Sequence, residues 1–475
     1  MSAVFGKSLQ PIETSIPGLV LFELPVHGDA RGWFKENWQR EKMTALGLPD
    51  FGPVQNNISF NDAVGTTRGI HAEPWDKWVS VATGRVFGAW VDLREGPTFG
   101  AVFTAEIDPS RAIFVPRGVG NSYQTLEPNT AYTYLVNDHW SPDSDYAFLN
   151  VADETTAISW PIPLSDVEIS EKDNAHPRLA DVAPVAPRGI LVLGANGQLG
   201  QALRARLGDA ANIEYATRAE LDLTDPDLSS ARRWRNYWLI INAAAYTAVD
   251  LAETPEGRRQ AWSANATAVA AIARVADEHG VTLVHISSDY VFDGTEESPY
   301  SEDSPVCPLG VYGQTKAAGD LAASTAERHY IVRTSWVIGE GNNFVRTMHS
   351  LAERGIDPRV VSDQHGRLSF TSDIADAIVH LYKTRAPYGV YNVTGSGDPQ
   401  SWAQIAEEIF RLSGHDPRRV TRVSTSTYFA GASQPIAPRP ANSVLDLAKV
   451  AESGFTPRDA HQSLVEYVNG MENKS

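Results

Sequence analysis

The stretch Arg188-Gly-Ile-Leu-Val-Leu-Gly194-Ala-Asn196-Gly197-Gln198-Leu199-Gly200 most constrains what this chain can fold into. Ile190 to Leu193 is a short apolar run of the kind a buried parallel strand shows. Leu199, Leu203 and Leu207 share one face of a helix over Gln198 to Leu207. Glycine between the two permits tight backbone geometry and lets a pyrophosphate approach amide groups at a helix N-terminus, where the helix dipole favours negative charge. In isolation the triplet also reads as an ordinary strand-to-helix turn, so the flanking strand and helix carry the assignment. The motif lies almost half way along 475 residues, a length suited to two or three domains, so a separate domain must precede it.

Beyond the motif, strand-like runs at Asn212 to Ala216, Trp238 to Asn242, Thr282 to Ser287 and Tyr330 to Thr334 are separated by segments long enough for crossover helices. That alternation predicts a doubly wound parallel sheet over 188–475. Residues 181–187, Asp-Val-Ala-Pro-Val-Ala-Pro, read as a semi-rigid connector. Residues 1–180 differ in kind: short β-rich runs such as Val86 to Leu93, Ala101 to Ile107, Ala112 to Val115 and Ala131 to Val136 are bounded by turn residues. The longest helix-period segment is Gln39 to Leu46. A β barrel or sandwich with an interior pocket is expected there.

A formal net charge of -18 opposes nonspecific binding to nucleic acid or anionic membrane, so neither is expected as a partner. No apolar run reaches the ~18 residues of a membrane span. Met1 to Gly18 shows no secretory pattern, and the single Cys307 excludes an internal disulfide, which together point to the cytoplasm. Cys307, between prolines, reads as a buried small apolar residue.

In the first half, Asp29-Ala-Arg31-Gly-Trp-Phe-Lys-Glu36, Gln55-Asn-Asn57 and Arg68-Gly-Ile-His71 with Lys77 occur in order, followed by Tyr134 and Ser170-Glu-Lys-Asp173. These segments resemble the dTDP-4-dehydrorhamnose 3,5-epimerase family, metal-free enzymes with a cupin-like jelly-roll barrel. The resemblance implies His71 as the base, Asp173 as its paired carboxylate and Tyr134 as the proton donor across the sugar ring. It also implies Lys77 stabilising charge on the C4 oxygen and Arg31 and Arg68 on the diphosphate, with Glu36, Gln55 and Asn57 among the substrate contacts. A ketone at C4 acidifies the protons at C3 and C5, and histidine titrates near working pH, so the residue types suit the chemistry. One departure stands out, because Asn121 replaces the histidine the family carries, keeping hydrogen-bonding capacity but losing a possible charge. No metal is expected, since Ala72, Glu73 and Asn121 do not complete a ligand set with His71.

In the second half the three-and-three spacing of Gly194, Gly197 and Gly200 resembles the short-chain dehydrogenase/reductase superfamily. Arg218 stands where a ribose-binding carboxylate is expected and suits a 2′-phosphate, which favours NADPH, with NADH possible. Asp222 and Ala243-Ala244-Ala245 match the segments beside the cofactor. Tyr312 and Lys316 lie one helical turn apart, and Ser288 supplies a third polar group. Together with His285-Ile-Ser-Ser288-Asp289-Tyr290, Arg333-Thr-Ser-Trp336 and Arg439-Pro-Ala-Asn-Ser443, they resemble the dTDP-4-dehydrorhamnose reductase family. The resemblance implies Ser288, Tyr312 and Lys316 as catalytic, with Asp289, Tyr290 and Trp336 near the substrate.

The two halves thus imply consecutive steps: epimerisation of dTDP-4-dehydro-6-deoxy-D-glucose at C3 and C5, then reduction of the 4-ketone to dTDP-L-rhamnose. The rival readings are a reductase with a noncatalytic cupin module and the same two steps on another deoxysugar. Both resemblances also imply a homodimer.

Overall fold

Strands bounded by turn residues build the first half of this computed structural model, which describes residues 6–141, 145–432 and 434–472. The strands are β1 (Gln10–Glu13), β2 (Val20–Glu23), β3 (Val26–Asp29), β4 (Gly32–Lys35), β5 (Gln55–Asn61), β6 (Thr67–Ala72), β7 (Lys77–Thr83), β8 (Val86–Asp92), β9 (Val102–Ile107), β10 (Arg111–Val115), β11 (Val119–Thr125), β12 (Thr130–Val136) and β13 (Ala147–Phe148). Helix α1 (Arg40–Ala45) falls on the one helix-period segment, and a short α2 (Glu171–Asn174) is capped by the Ser170 hydroxyl. Two antiparallel sheets result, in the orders β1-β2-β10-β7-β12-β5 and β13-β6-β11-β8-β9. Their facing side chains, Leu21, Val79, Ile113 and Tyr132 from one sheet with Val86, Trp90, Val119 and Tyr123 from the other, form one buried cluster. This is the two-sheet jelly roll expected of alternating half-buried strands.

The second half begins with β14 (Gly189–Leu193), α3 (Gln198–Leu207), β15 (Ile213–Ala216) and β16 (Tyr237–Asn242). It continues through α4 (Pro255–Trp262), α5 (Ala268–Glu278), β17 (Thr282–Ser288), α6 (Val311–Ala323) and β18 (His329–Thr334). With a sixth strand, Gly389–Asn392, they form a parallel sheet in the order β15-β14-β16-β17-β18-(Gly389–Asn392). Alternate residues of β14 explain its apolar run: Leu191 and Leu193 pack into the cluster that holds Ile272 and Val275 of α5, while Ile190 and Val192 pack on the opposite face with Leu203 and Ile378. A further apolar cluster joins the helices Phe344–Glu353, Trp402–Leu412 and Ala460–Glu472.

The chain divides into two compact units, Met1–Pro187 and Arg188–Ser475. Part of the expected connector is bound to the first unit, because Val185 bridges Arg94 and its backbone exchanges hydrogen bonds with Leu93 and Glu95. Cys307 corrects the sequence reading. It is exposed, since the proline-bounded loop ahead of α6 runs over the surface with only its backbone N–H tied to the Val291 carbonyl. Among the described residues no helix is long and apolar enough to cross a membrane.

Candidate active sites

In the parallel sheet, β14 lies between β15 and β16, so the chain's winding reverses beside β14 and leaves a crevice beyond the carboxyl ends of β14 and β16. A cavity of about 700 Å³ opens there, lined by Gly194, Asn196, Gly197, Thr217, Arg218 and Asp222 together with Ala243, Ala244 and Ala245. Gly194 has φ +75°, and a Cβ on it would come within 2.7 Å of the Ala244 nitrogen. At Gly200 a Cβ would lie 2.3 Å from the Gly194 carbonyl oxygen. The outer glycines therefore let two backbone segments touch. Gly197 meets only the Gly194 oxygen, at 3.2 Å, and caps α3 without any side-chain hydrogen bond. The first-turn amides of α3 thus have the form of an anion cradle, and the residues fit a dinucleotide. Arg218 is mostly exposed and pairs with Asp222 at 3.3 Å. Leu199 is buried, and the Gln198 side chain donates to the Asn342 carbonyl. Gly200→Ala is expected to destabilise the C-terminal unit by ~1–3 kcal/mol, because backbone must move to admit the methyl group; calorimetric unfolding checks it.

The end of β17 and the first turns of α6 place the three catalytic candidates. Ser288 donates to the Asp289 carboxylate at 2.9 Å and accepts from the Tyr290 N–H, and its hydroxyl acts on the Tyr312 phenol in favour of ionisation. The Tyr290 and Tyr312 rings meet edge to face at 5.4 Å. Lys316, 2% exposed, donates to the Ile286 carbonyl at 2.6 Å. Burial pulls its pKa down to about 8, opposed by the charge of Asp320 one turn on. Burial pushes Asp289 up to about 6. The Tyr312 pKa is raised, first by burial and then by the Asp289 charge, against the opposing pull of the Ser288 hydroxyl. Tyr312 thus stays protonated and stands ready as a proton donor. Trp336 is placed by packing: its indole stacks on Trp402 at 3.8 Å.

In the jelly roll, His71 on β6 meets Asp173 on α2, Nε2 to Oδ1, at 2.9 Å, and the Gly69 N–H donates to the other carboxylate oxygen at 3.3 Å. Burial works to raise the Asp173 pKa, but the hydrogen bonds from His71 and Gly69 win and hold it low. Lys77 on β7 is buried against Glu73, with its ammonium 5.4 Å from the centre of the Tyr134 ring. Burial lowers the Lys77 pKa to about 7, while the Glu73 carboxylate beside it favours the charged form. Tyr134 pairs in register with Asn57, whose side chain, like the charge of Arg68, favours the ionised phenol. Burial nevertheless raises the Tyr134 pKa. Gln55 donates to Asn57 at 2.8 Å. Asn121, opposite His71 in the ladder, accepts from the Trp90 indole and the Tyr132 hydroxyl, both at 2.9 Å. Two expected substrate contacts are not brought to this group by the chain's own contacts. Arg31 sits on the β3–β4 hairpin with its side chain 90% exposed and paired to Asp29, and Glu36 pairs with Lys42 at the surface.

Residues 13–181 match the dTDP-4-dehydrorhamnose 3,5-epimerase family, and residues 188–473 match the RmlD substrate binding domain. A Streptococcus pyogenes serotype M6 protein named an RmlC homolog is 52% identical over 182 residues, covering 37% of this chain and 91% of that protein. The dTDP-4-dehydrorhamnose reductase of Aggregatibacter actinomycetemcomitans is 37% identical over 294 residues, covering 58% of this chain and 96% of that protein. The chain belongs to both families, one in each half. A crystal structure of dTDP-4-dehydrorhamnose reductase from Bacillus anthracis in complex with NADP matches with a TM-score of 0.53 at 32% identity, over 59% of this chain and 98% of that one.

Each domain also holds residues that sequence reading missed. In the epimerase domain His176 approaches the His71–Asp173 pair, its Nε2 3.8 Å from the same Asp173 Oδ1. Its position three residues after Asp173 was the available signal. In the reductase domain Arg439 clamps Asp250 through two hydrogen bonds of 2.8 Å, and its charge acts on the Tyr290 phenol. Arg439 lay in a recognised motif, but Asp250 offered no local pattern.

Proposed function

We propose that this chain carries out both steps: 3,5-epimerisation of dTDP-4-dehydro-6-deoxy-D-glucose in the jelly roll and NADPH-dependent reduction of the 4-ketone in the parallel-sheet domain, giving dTDP-L-rhamnose. The observation that carries the reading is the presence in one chain of two complete polar constellations, His71–Asp173 with Lys77 and Tyr134, and Ser288 with Tyr312 and Lys316. In the first, Asp173 fixes the imidazole and favours its protonated form after it takes a carbon-bound proton. The Lys77 ammonium stabilises the oxyanion at C4, and Tyr134 returns a proton to the opposite face. In the second, NADPH supplies hydride to C4, Ser288 orients the carbonyl, and Tyr312 gives its proton to the oxygen. Lys316 holds positive charge beside that transfer. Arg218, exposed on the rim of the glycine cavity, can leave Asp222 for a 2′-phosphate.

A cytoplasmic homodimer acting on a dTDP-sugar completes the reading. Strand β5 is a sheet edge, and it turns Gln55, Asn57 and Ser59 inward while leaving Ile58 and Phe60 67% and 56% exposed. With Phe34, 69% exposed on the β3–β4 hairpin, this apolar outer face suits burial against a second copy. Incubation with the keto sugar in D2O without NADPH should place deuterium at C3 and C5, and adding NADPH should then yield one rhamnose product. Reduction without prior exchange would reduce the jelly roll to a binding module, and a different product sugar would redirect both steps.

A further inference from the structure

His176 is buried beside the epimerase pair without a satisfied ring. Its side chain is 6% exposed, and neither ring nitrogen has a hydrogen-bond partner; the Leu149 carbonyl lies nearby but outside hydrogen-bond geometry. The ring stacks on Phe148 at 4.7 Å and meets His71 edge to face at 5.3 Å. Two imidazoles therefore converge on one carboxylate oxygen, His71 Nε2 at 2.9 Å and His176 Nε2 at 3.8 Å. A proton bridges only one of these pairs. Among the described residues this is the one group of three His, Cys, Asp or Glu whose ligand atoms all lie within 4.8 Å of one another.

Asp173 Oδ1 lies 2.9 and 3.8 Å from the two Nε2 atoms, and one ligand atom from each of the three residues can be chosen so that all lie within 4.8 Å of one another. Zinc bound tetrahedrally at roughly 2.0–2.2 Å holds its ligand atoms about 3.3–3.6 Å apart, so the His176 ring must swing toward His71 and Asp173 for the three to share one ion. The frame is suitably held: Asp173 Oδ2 takes the Gly69 N–H and leaves Oδ1 free to face both rings, and Phe148 packs against both. The His71 side chain is 36% exposed, which gives an entry path and leaves room for water as a fourth ligand. Lys172, with its ammonium 5.3 Å from the centre of the Phe148 ring, opposes a cation here, while the ionised Asp173 favours one.

We infer that His71, Asp173 and His176 form a site for a borderline-soft divalent cation of the zinc class, and that its occupancy switches the epimerase step off. A cation on His71 Nε2 takes the Asp173 carboxylate from the imidazole and places positive charge on the ring that must accept a proton. The inhibition rests on the epimerase reading proposed above; the binding does not.

The test uses the full chain freed of metal by a chelator. Cobalt(II), a zinc surrogate with visible absorption, is titrated first and then displaced by zinc. Expected are one such site per chain and at least tenfold weaker zinc binding in His176→Asn. Deuterium exchange at C3 and C5 should fall more than tenfold with zinc and recover with chelator, while reduction of epimerised substrate is unchanged. The ratio of exchange with and without zinc should approach one in His176→Asn. Should that variant misfold by circular dichroism, His176→Gln replaces it, and the wild-type titration stands on its own. No cobalt spectrum in the wild type, equal zinc affinity in the variant, or exchange undiminished at saturating zinc each overturns the inference. Cobalt binding with no exchange in metal-free enzyme indicts the epimerase reading instead.

Discussion

Replacing Tyr312 with phenylalanine is expected to lower ketone reduction by roughly 10²–10⁴-fold, the range of a lost general acid. Phenylalanine keeps the ring against Tyr290 and removes only the hydroxyl beside Ser288. The glycine cavity is lined by other residues, so cofactor affinity should change much less than kcat. The wild-type profile should carry the electrostatics. Lys316, lowered to about 8 by burial, is an ammonium only below that pH, and Asp289, raised to about 6, is ionised only above that pH. Both charges coexist between about 6 and 8, so reduction of epimerised substrate should fall on either side. Cofactor oxidation followed across that range, in the wild type and in Tyr312→Phe, checks both points. A variant that keeps a third or more of the wild-type rate would remove Tyr312 from the mechanism.

Elements with a local period were legible in the sequence, and long-range pairings were not. Helix α3 spans Gln198–Leu207, the range its leucine spacing implies, and β14 ends at Leu193 as its apolar run does. The sixth strand, Gly389–Asn392, is too short and too mixed to announce itself; it is a strand because β18 offers it a parallel edge. The cluster of Phe344–Glu353, Trp402–Leu412 and Ala460–Glu472 draws on three segments whose first and last are more than a hundred residues apart, which periodicity cannot join. The sites divide in the same way. Tyr312 and Lys316 share a helix, so their spacing spoke for them, whereas Asp173 needed a family likeness because it meets His71 across 102 residues. Asn121 looked like a lost charge, but its oxygen serves two interior donors, Trp90 and Tyr132, a role that only the folded barrel defines. Cys307 was misjudged because cysteine burial is a tendency of composition, whereas its loop is a matter of topology.

His71→Ala should lose deuterium exchange at both C3 and C5 by roughly 10²–10⁴-fold while leaving the reduction of epimerised substrate intact. Loss at both carbons is the discriminating result, since a single base serves both if the sugar presents C3 and C5 to the same face in turn. The imidazole has Asp173 on Nε2, so its other nitrogen faces away from the carboxylate as the proton acceptor. Alanine leaves Asp173 without that hydrogen bond but with the Gly69 N–H and the Ser170 cap of its helix, so the fold should survive. Lys77 sets the other limit. Its pKa of about 7 means that the ammonium opposite Tyr134 is lost as pH rises through that value, so wild-type exchange should decline above it. Lys77→Met keeps the buried volume, removes the charge and leaves Glu73 unpaired; it should abolish this alkaline limb together with most of the rate. Exchange that persists at C5 in His71→Ala would require a second base, and exchange that is flat above pH 7 would separate Lys77 from the developing oxyanion.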